Sequence, residues 1–157
     1  MIVADEQRMA RTTSDRRLVY ARAEDLEEWN CRPLESIPVL DLRDRAVGRF
    51  DGVILDAHAE RPLYIVVRSN GTPSWFLVPV GDAWFDDTER AIRIDVARRK
   101  NEAMAFDPDA FARMTPDEAV AYERRVLGTC CPEVGLHHDG TPDYSKVAAF
   151  QCPAWLK

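Results

Sequence analysis

The sequence predicts a mainly β protein with short helices, built as a small antiparallel barrel with an extended N-terminal arm, a helical follow-on and a C-terminal tail. Two observations carry that expectation. The runs VGRFDGVILD (47–56), LYIVV (63–67) and FLVPV (76–80) follow one another within about 35 residues. Each is short, rich in β-branched or aromatic residues and bounded by turn formers, as in antiparallel sheets and small barrels. The links between the runs are of hairpin length. Asn70-Gly71 supplies the positive φ angles of a tight reversal, and His58 to Pro62 and Asp86 to Arg90 are short polar connections. Links this short make neighbouring strands antiparallel.

Taken in order, residues 1–36 read as an arm that is polar and rich in Arg and Glu. A short helix is expected over Ala23 to Trp29, where AEDLEEW supplies good helix formers. From Met1 to Arg22, Arg8, Arg11, Arg16, Arg17 and Arg22 outweigh Asp5, Glu6 and Asp15, so that stretch of the arm is locally basic. The barrel is placed at 37–100, with strands in PVLDL, VGRFDGVILDA, LYIVVRS, WFLVPV and AIRIDV. Gly48 and Gly52 fall inside the second strand and mark a bulge, a bend or a close backbone approach. The alternative is that both flank a shorter strand from Val53 to Leu55.

Residues 101–128 follow as a helical segment. Asp107 precedes a first-turn proline, and Thr115-Pro116-Asp117-Glu118 has the form of a capping box. The second helix is expected from Pro116 to Leu127, with Gly128 as a left-handed terminator. Phe106, Phe111, Met114, Val120 and Leu127 would close one end of the barrel. The tail, 129–157, is punctuated by Pro and Gly, and its apolar cluster of Phe150, Trp155 and Leu156 needs a surface to pack against.

Composition bounds the function. A chain of 157 residues, 46% apolar and 31% charged, suits one domain with appendages and lacks the signature of disorder. A net charge of -6 speaks against a broad phosphate-binding face, so no nucleic-acid partner is expected. Apolar runs of about five residues fall short of the ~20 that cross a bilayer as a helix. The N-terminus lacks the apolar core and cleavage site of a secretory signal, which gives a cytoplasmic expectation. The basic arm suits an acidic partner or anionic lipid, where each cation contributes about 1 kcal/mol.

Phosphate-loop, nucleophile-elbow and zinc-protease motifs do not occur, so neither enzyme activity nor a directly bound cofactor is expected. Without an export signal, Cys31, Cys130, Cys131 and Cys152 read as free thiols. Cys130, Cys131, His137, His138 and Cys152 are zinc-ligand types within one tail, but adjacent cysteines do not fit a ribbon or finger, so no metal site is expected.

The segment from Ile37 to Val96 resembles a PRC-barrel, the small β-barrel of the photosynthetic reaction centre H subunit, of ribosome-maturation factors and of many stand-alone bacterial proteins. The VGxxxGVxLD strand, the apolar run from Tyr64 to Val67, the LVP strand at Leu77 to Pro79 and the IRIDV strand carry the resemblance by their order and spacing. FDPDAFARMTPDEAVAYERRVLG (106–128) is similar to the helical follow-on of these proteins, with its Ala121-Tyr122 pair. A ribosome-maturation arrangement would need a second barrel in front, which residues 1–36 are too few to supply.

The resemblance therefore implies a non-catalytic extrinsic subunit, peripheral on the cytoplasmic face of the inner or photosynthetic membrane. Its partners would be membrane-embedded reaction centre subunits and a separate transmembrane H-type helix, with anionic lipid contact. It would stabilise assembly and cover the quinone region. The alternative is a stand-alone soluble adaptor that homodimerises or binds other proteins. Arg8, Arg11, Arg16, Arg17, Trp29, Phe150, Trp155 and Leu156 are the candidate partner contacts.

In H subunits an acidic residue on the strand corresponding to Leu63 to Arg68 serves proton delivery. Here Val66, Val67 and Arg68 occupy that place, and the role does not carry over. Asp56, His58 and Glu60 are the surface groups that remain as candidates for a proton path. A solvated hairpin turn is the simpler account of them.

Overall fold

The computed structural model describes residues 16–32, 34, 36–71, 74–95 and 104–157. The protein is mainly β with short helices. The strands are β1 (Leu18–Arg22), β2 (Pro38–Leu40), β3 (Ala46–Asp56), β4 (Arg61–Ser69), β5 (Trp75–Pro79), β6 (Ala83–Asp86), β7 (Ala91–Ile94) and β8 (Ala105–Phe106), with β9 (Gly135–Leu136) and β10 (Pro142–Asp143) forming a separate small hairpin. The main sheet runs β6-β7-β2-β3-β4-β5-β8, and β1 also pairs with β3. Every pairing is antiparallel except that of β2 with β7.

The 11-residue strand β3 is the spine. Its first half pairs with β2, Val39 opposite Gly48, and its second half pairs with β1, Arg22 opposite Gly52 and Leu18 opposite Asp56. Along its other edge lies β4. Both glycines are inside this strand, and each is a point of close approach. A Cβ on Gly48 would lie 2.2 Å from the Arg68 carbonyl oxygen, and one on Gly52 would lie 2.2 Å from that of Ala21. The register against β4 shifts between Phe50 and Gly52, a bulge that bends the spine at the junction of its two halves.

Both faces are buried over Gly52–Leu55 of β3, Pro62–Val67 of β4 and Leu77–Pro79 of β5, which explains the continuous apolar runs. Side chains alternate between two cores. Val53, Leu55, Ile65, Val67 and Val78 point to an inner cluster with Ile92 and Ile94 of β7 and with Leu26 and Trp29 of the 3-10 helix Ala23–Trp29. Ile54, Tyr64, Val66 and Leu77 point to an outer cluster. Strands from both ends of the sheet thus share the inner core, yet hydrogen bonding does not join β6 to β8. Among the described residues the sheet is not closed into a barrel. One physical reason lies at the β6 edge, where the Trp155 indole donates to the Ala83 carbonyl at 3.3 Å and occupies an acceptor.

The outer face is covered by α1 (Pro108–Arg113), α2 (Pro116–Cys130) and the tail. The Asp107 carboxylate accepts from the Asp109 and Ala110 amides, and the capping box of Thr115 and Glu118 is formed in both directions. Three helical expectations need correction. The helices lie over the sheet rather than at a barrel end, and Val120 is 45% exposed while Ala119, Tyr122 and Val126 face inward. Gly128 does not stop α2, which continues to Cys130 because Leu127 and Cys131 are both buried and hold the last turn down.

The N-terminal segment enters the sheet as β1, and the tail crosses the molecule. Phe150 packs edge-on against Tyr64 and Tyr144, with ring centroids 5.3 and 4.7 Å away. Arg61 donates to the Tyr144 and Phe150 carbonyls at 3.3 and 3.0 Å. The Ala148 and Ala149 carbonyls pass over Gly81, where a Cβ would stand 2.4 and 2.7 Å from them. Leu156 then enters the inner core, and its carbonyl accepts from the Arg32 amide at 2.8 Å. Among the described residues no helix is long and apolar enough to cross a membrane.

Candidate functional site

The densest buried polar cluster forms where the N-terminal segment, the β3–β4 turn, α2 and the tail meet. Arg17 sits immediately before β1. Its guanidinium donates to Asp56 Oδ2 at 3.0 Å and to both carboxylate oxygens of Glu123. Glu123, on the inward face of α2, is only 3% exposed. Its Oε2 also accepts from the Tyr144 hydroxyl at 2.5 Å. The two terminal nitrogens of one guanidinium serve two carboxylates, Nη1 on Asp56 and Nη2 on Glu123, which the single ammonium of a lysine would not match in geometry.

Electrostatics follow from this geometry. Burial alone would lower the pKa of Arg17, but hydrogen bonds to Glu123 and then Asp56 outweigh it and the net shift is upward. The Tyr144 phenol is pushed well above its ordinary value, first by burial and then by neighbouring Tyr64 and Glu123. The Tyr64 hydroxyl is buried without a well-formed hydrogen bond, and its phenol is held far up by burial. Every ionised group in the cluster is paired. Removing one partner of such a pair typically costs about 3–5 kcal/mol because the other charge is stranded.

A cavity of about 460 Å³ opens beside the cluster, lined by Arg16, Arg17, His58, Val120, Glu123 and Asp139 among others. Two of its carboxylates are engaged, Glu123 by Arg17 and Tyr144 and Asp139 by the Thr141 amide and hydroxyl, while Asp117 is exposed at the rim. The arrangement ties four chain segments together through charge.

The surface groups nominated for proton transfer are placed on one turn. Asp56 Oδ1 accepts from the His58 and Ala59 amides at 2.9 and 3.1 Å, so this carboxylate caps the turn as well as pairing with Arg17. His58 and Glu60 are exposed beside it. Of the nominated partner contacts, Arg8 and Arg11 lie outside the described residues. Arg16 donates to the Phe111 carbonyl at 2.8 Å and stacks over its ring, and Arg17 is in the buried cluster. Trp29, Phe150 and Leu156 are buried within the chain, and Trp155 is half-buried against Phe85. The apolar surface of Trp29, Phe150 and Leu156 is covered by the protein's own residues, while part of Trp155 stays exposed.

The cysteines divide into two kinds. Cys130 and Cys131 are joined to each other, a correction to four free thiols, while Cys31 and Cys152 remain free. Burial pushes the Cys31 thiol up to about 11. Among the described residues no group of three or more His, Cys, Asp or Glu is arranged to hold a metal ion.

Two further polar clusters pin the sheet. At the β3 bulge, Asp51 accepts from the Tyr20 hydroxyl and from the Trp75 indole at 3.1 Å, joining β1, β3 and β5. At the other end, Arg93 donates to Asp86 at 2.8 Å, to Asp44 at 2.6 Å and to the Asp41 carbonyl at 3.0 Å. Hydrogen bonds from Arg93 hold Asp86 below the ordinary aspartate value of 3.8. The Arg45 and Arg43 amides and the Arg45 side chain do the same for Asp41.

A lowered folded-state pKa contributes stability that is complete above the unfolded value and lost as pH falls through the folded one. The contribution of Asp41 and Asp86 is therefore expected to disappear below about pH 4. Melting temperatures of the parent and Asp86→Asn should differ at neutral pH and converge in acid. Curves that stay parallel would remove Asp86 from the acid response.

Sequence reasoning missed Glu123, Tyr144 and Asp51. A signal for Glu123 was present, since it lies four residues after Ala119 and three before Val126, on the apolar stripe of its own helix. No protein-family model matches this sequence, and no curated protein is similar to it.

Proposed function

We propose that this chain is a non-catalytic scaffold subunit, built on a PRC-type sheet and seated on the cytoplasmic face of a photosynthetic reaction centre complex. There it stabilises assembly and covers the quinone region, with no cofactor of its own. The observation that carries the scaffold reading is the use of its charged groups. Arg17, Asp56, Glu123, Asp86 and Arg93 join segments of the chain to one another. The reaction centre assignment rests on the resemblance of residues 37–96, whose strand runs fall on β2 to β5 and β7.

The partner surface in this reading is the part of β6, β7 and β2 turned away from the inner core, beyond the area that the helices and tail cover. Trp84, Arg93 and Leu40 are lateral neighbours on that face, opposite to the inner-core row of Phe85, Ile92 and Val39. Trp84 is 44% exposed and Leu42, just past β2, is 55% exposed. Aromatic side chains of this kind commonly anchor interfaces. The basic N-terminal segment adds contact with anionic lipid.

Affinity purification of the tagged full chain from membranes of its native host tests the proposal. Pigment-protein absorbance should co-purify with the parent and fall for Trp84→Ser. A chain recovered only as a soluble monomer would sink the reading. A stable homodimer free of membrane material would establish the adaptor alternative in its place.

A further inference from the structure

We infer that Glu123 is a coupling node through which the N-terminal segment controls the docking of the C-terminal tail. Arg17 enters the node from the N-terminal side and Tyr144 from the tail. The two are held by the same carboxylate, which the fold has removed almost entirely from water. The inference does not depend on which complex the protein joins.

Tyr144 is the first of a series of anchors. Its ring supports Phe150, and Arg61 grips the carbonyls of both residues. Beyond them the chain crosses Gly81, caps the β6 edge with Trp155 and ends its path with Leu156 in the inner core. The tail is a strap laid from α2 to the far edge of the sheet.

When Arg17 is withdrawn, Glu123 is left in a buried site where, among the described residues, no other cation is bonded to it. Asp56, Tyr64 and Tyr144 in the cluster supply no positive charge, and the cation Arg16 and the titratable His58 stand in the wall of the adjoining cavity. Water reaches the carboxylate most directly from the adjoining cavity, whose wall includes Glu123. Hydrating Glu123 competes with its bond to Tyr144, and loss of that bond frees the first anchor of the strap. Lifting the strap uncovers Tyr64 on the outer face and the Ala83 carbonyl on the β6 edge. A sheet edge uncovered in this way accepts another strand.

Hydrogen exchange of the full-length protein, read by mass spectrometry, tests the coupling. In Arg17→Met, protection across residues 144–157 should fall by about 10-fold or more while β4 and β5 keep theirs. Adding Glu123→Gln, which removes the stranded charge, should return tail protection to within about 3-fold of the parent. Faster exchange confined to β1, or a double variant as open as the single one, would overturn the inference. Should Arg17→Met unfold outright, Arg17→Lys takes its place. Selective loss of tail protection then supports the coupling, and uniform loss or none refutes it.

Discussion

Gly52→Ala is expected to destabilise the protein by about 3 kcal/mol, the upper range for forcing an atom into a well-packed site. The added Cβ would meet the Ala21 carbonyl oxygen at 2.2 Å, Tyr20 Cε1 at 2.9 Å and Arg22 Cα at 3.0 Å. Two of these obstacles are backbone, so a rotamer change cannot relieve the clash. The strand β1 must move away from β3, and with it goes the pairing of Arg22 with Gly52 and of Ala21 with Val53. The hydrogen bond from Tyr20 to Asp51 is strained in the same movement. Gly128→Ala is the internal control, since nothing lies within 4 Å of its added Cβ and it is helical. It should be neutral or stabilising by up to about 1 kcal/mol. Urea denaturation of both variants measures the contrast, and a Gly52→Ala midpoint equal to that of the parent would rule out the β1–β3 contact.

The second large effect is expected at Phe150. This ring is fully buried, touches Tyr64 and Tyr144 edge-on, and lies where the tail crosses the outer face. Phe150→Ala should cost about 3–5 kcal/mol through lost apolar transfer and the cavity left behind. Phe150→Leu keeps most of the volume and forfeits the aromatic pairs, so a smaller loss of about 1–1.5 kcal/mol is expected. The ratio of the two separates filling space from ring geometry. A loss below about 1 kcal/mol for the alanine variant would mean that the tail contributes little to the folded state.

The parts of this fold that were legible in the sequence are those whose signal is local. Val53–Leu55 and Tyr64–Val67 are continuous apolar runs because helices and tail cover one face and the curled sheet covers the other. The caps at Asp107 and Thr115 are set by residues within three positions of one another and were correctly anticipated. The sequence places β1 within an arm, because LVYAR lies among arginines whose partners are distant in sequence. β6 carries no strand signal of its own either: AWFD is four residues long, with an exposed Trp84, and borrows its order from β7.

At Gly128 the local signal was outvoted by tertiary packing of the two buried residues that flank it. The charge cluster was hidden for a related reason. Glu123 betrays itself by helical period, but its pairing with Arg17 spans 106 residues and no local pattern encodes it. For Phe150 and Leu156, the sequence announces a need for burial without saying whether the surface belongs to the same molecule or another. Here it belongs to the same molecule.

The reach of the inner core has a consequence for how the chain acquires its structure. That core takes Ala21 from one side of the sequence and Leu156 from the other, and the parallel pairing of Val39 with Ile92 joins strands more than fifty residues apart. Local hairpins such as β3–β4 and β6–β7 form early in such a topology, whereas closing the long loops between distant partners is the slow entropic step. During vectorial synthesis the inner cluster cannot be completed until Leu156 has left the ribosome. Until then the nascent sheet presents an unfinished apolar face and an uncapped β6 edge. Completion of the inner core accordingly waits for the tail, and exposure to misassociation is greatest in the interval before Leu156 arrives.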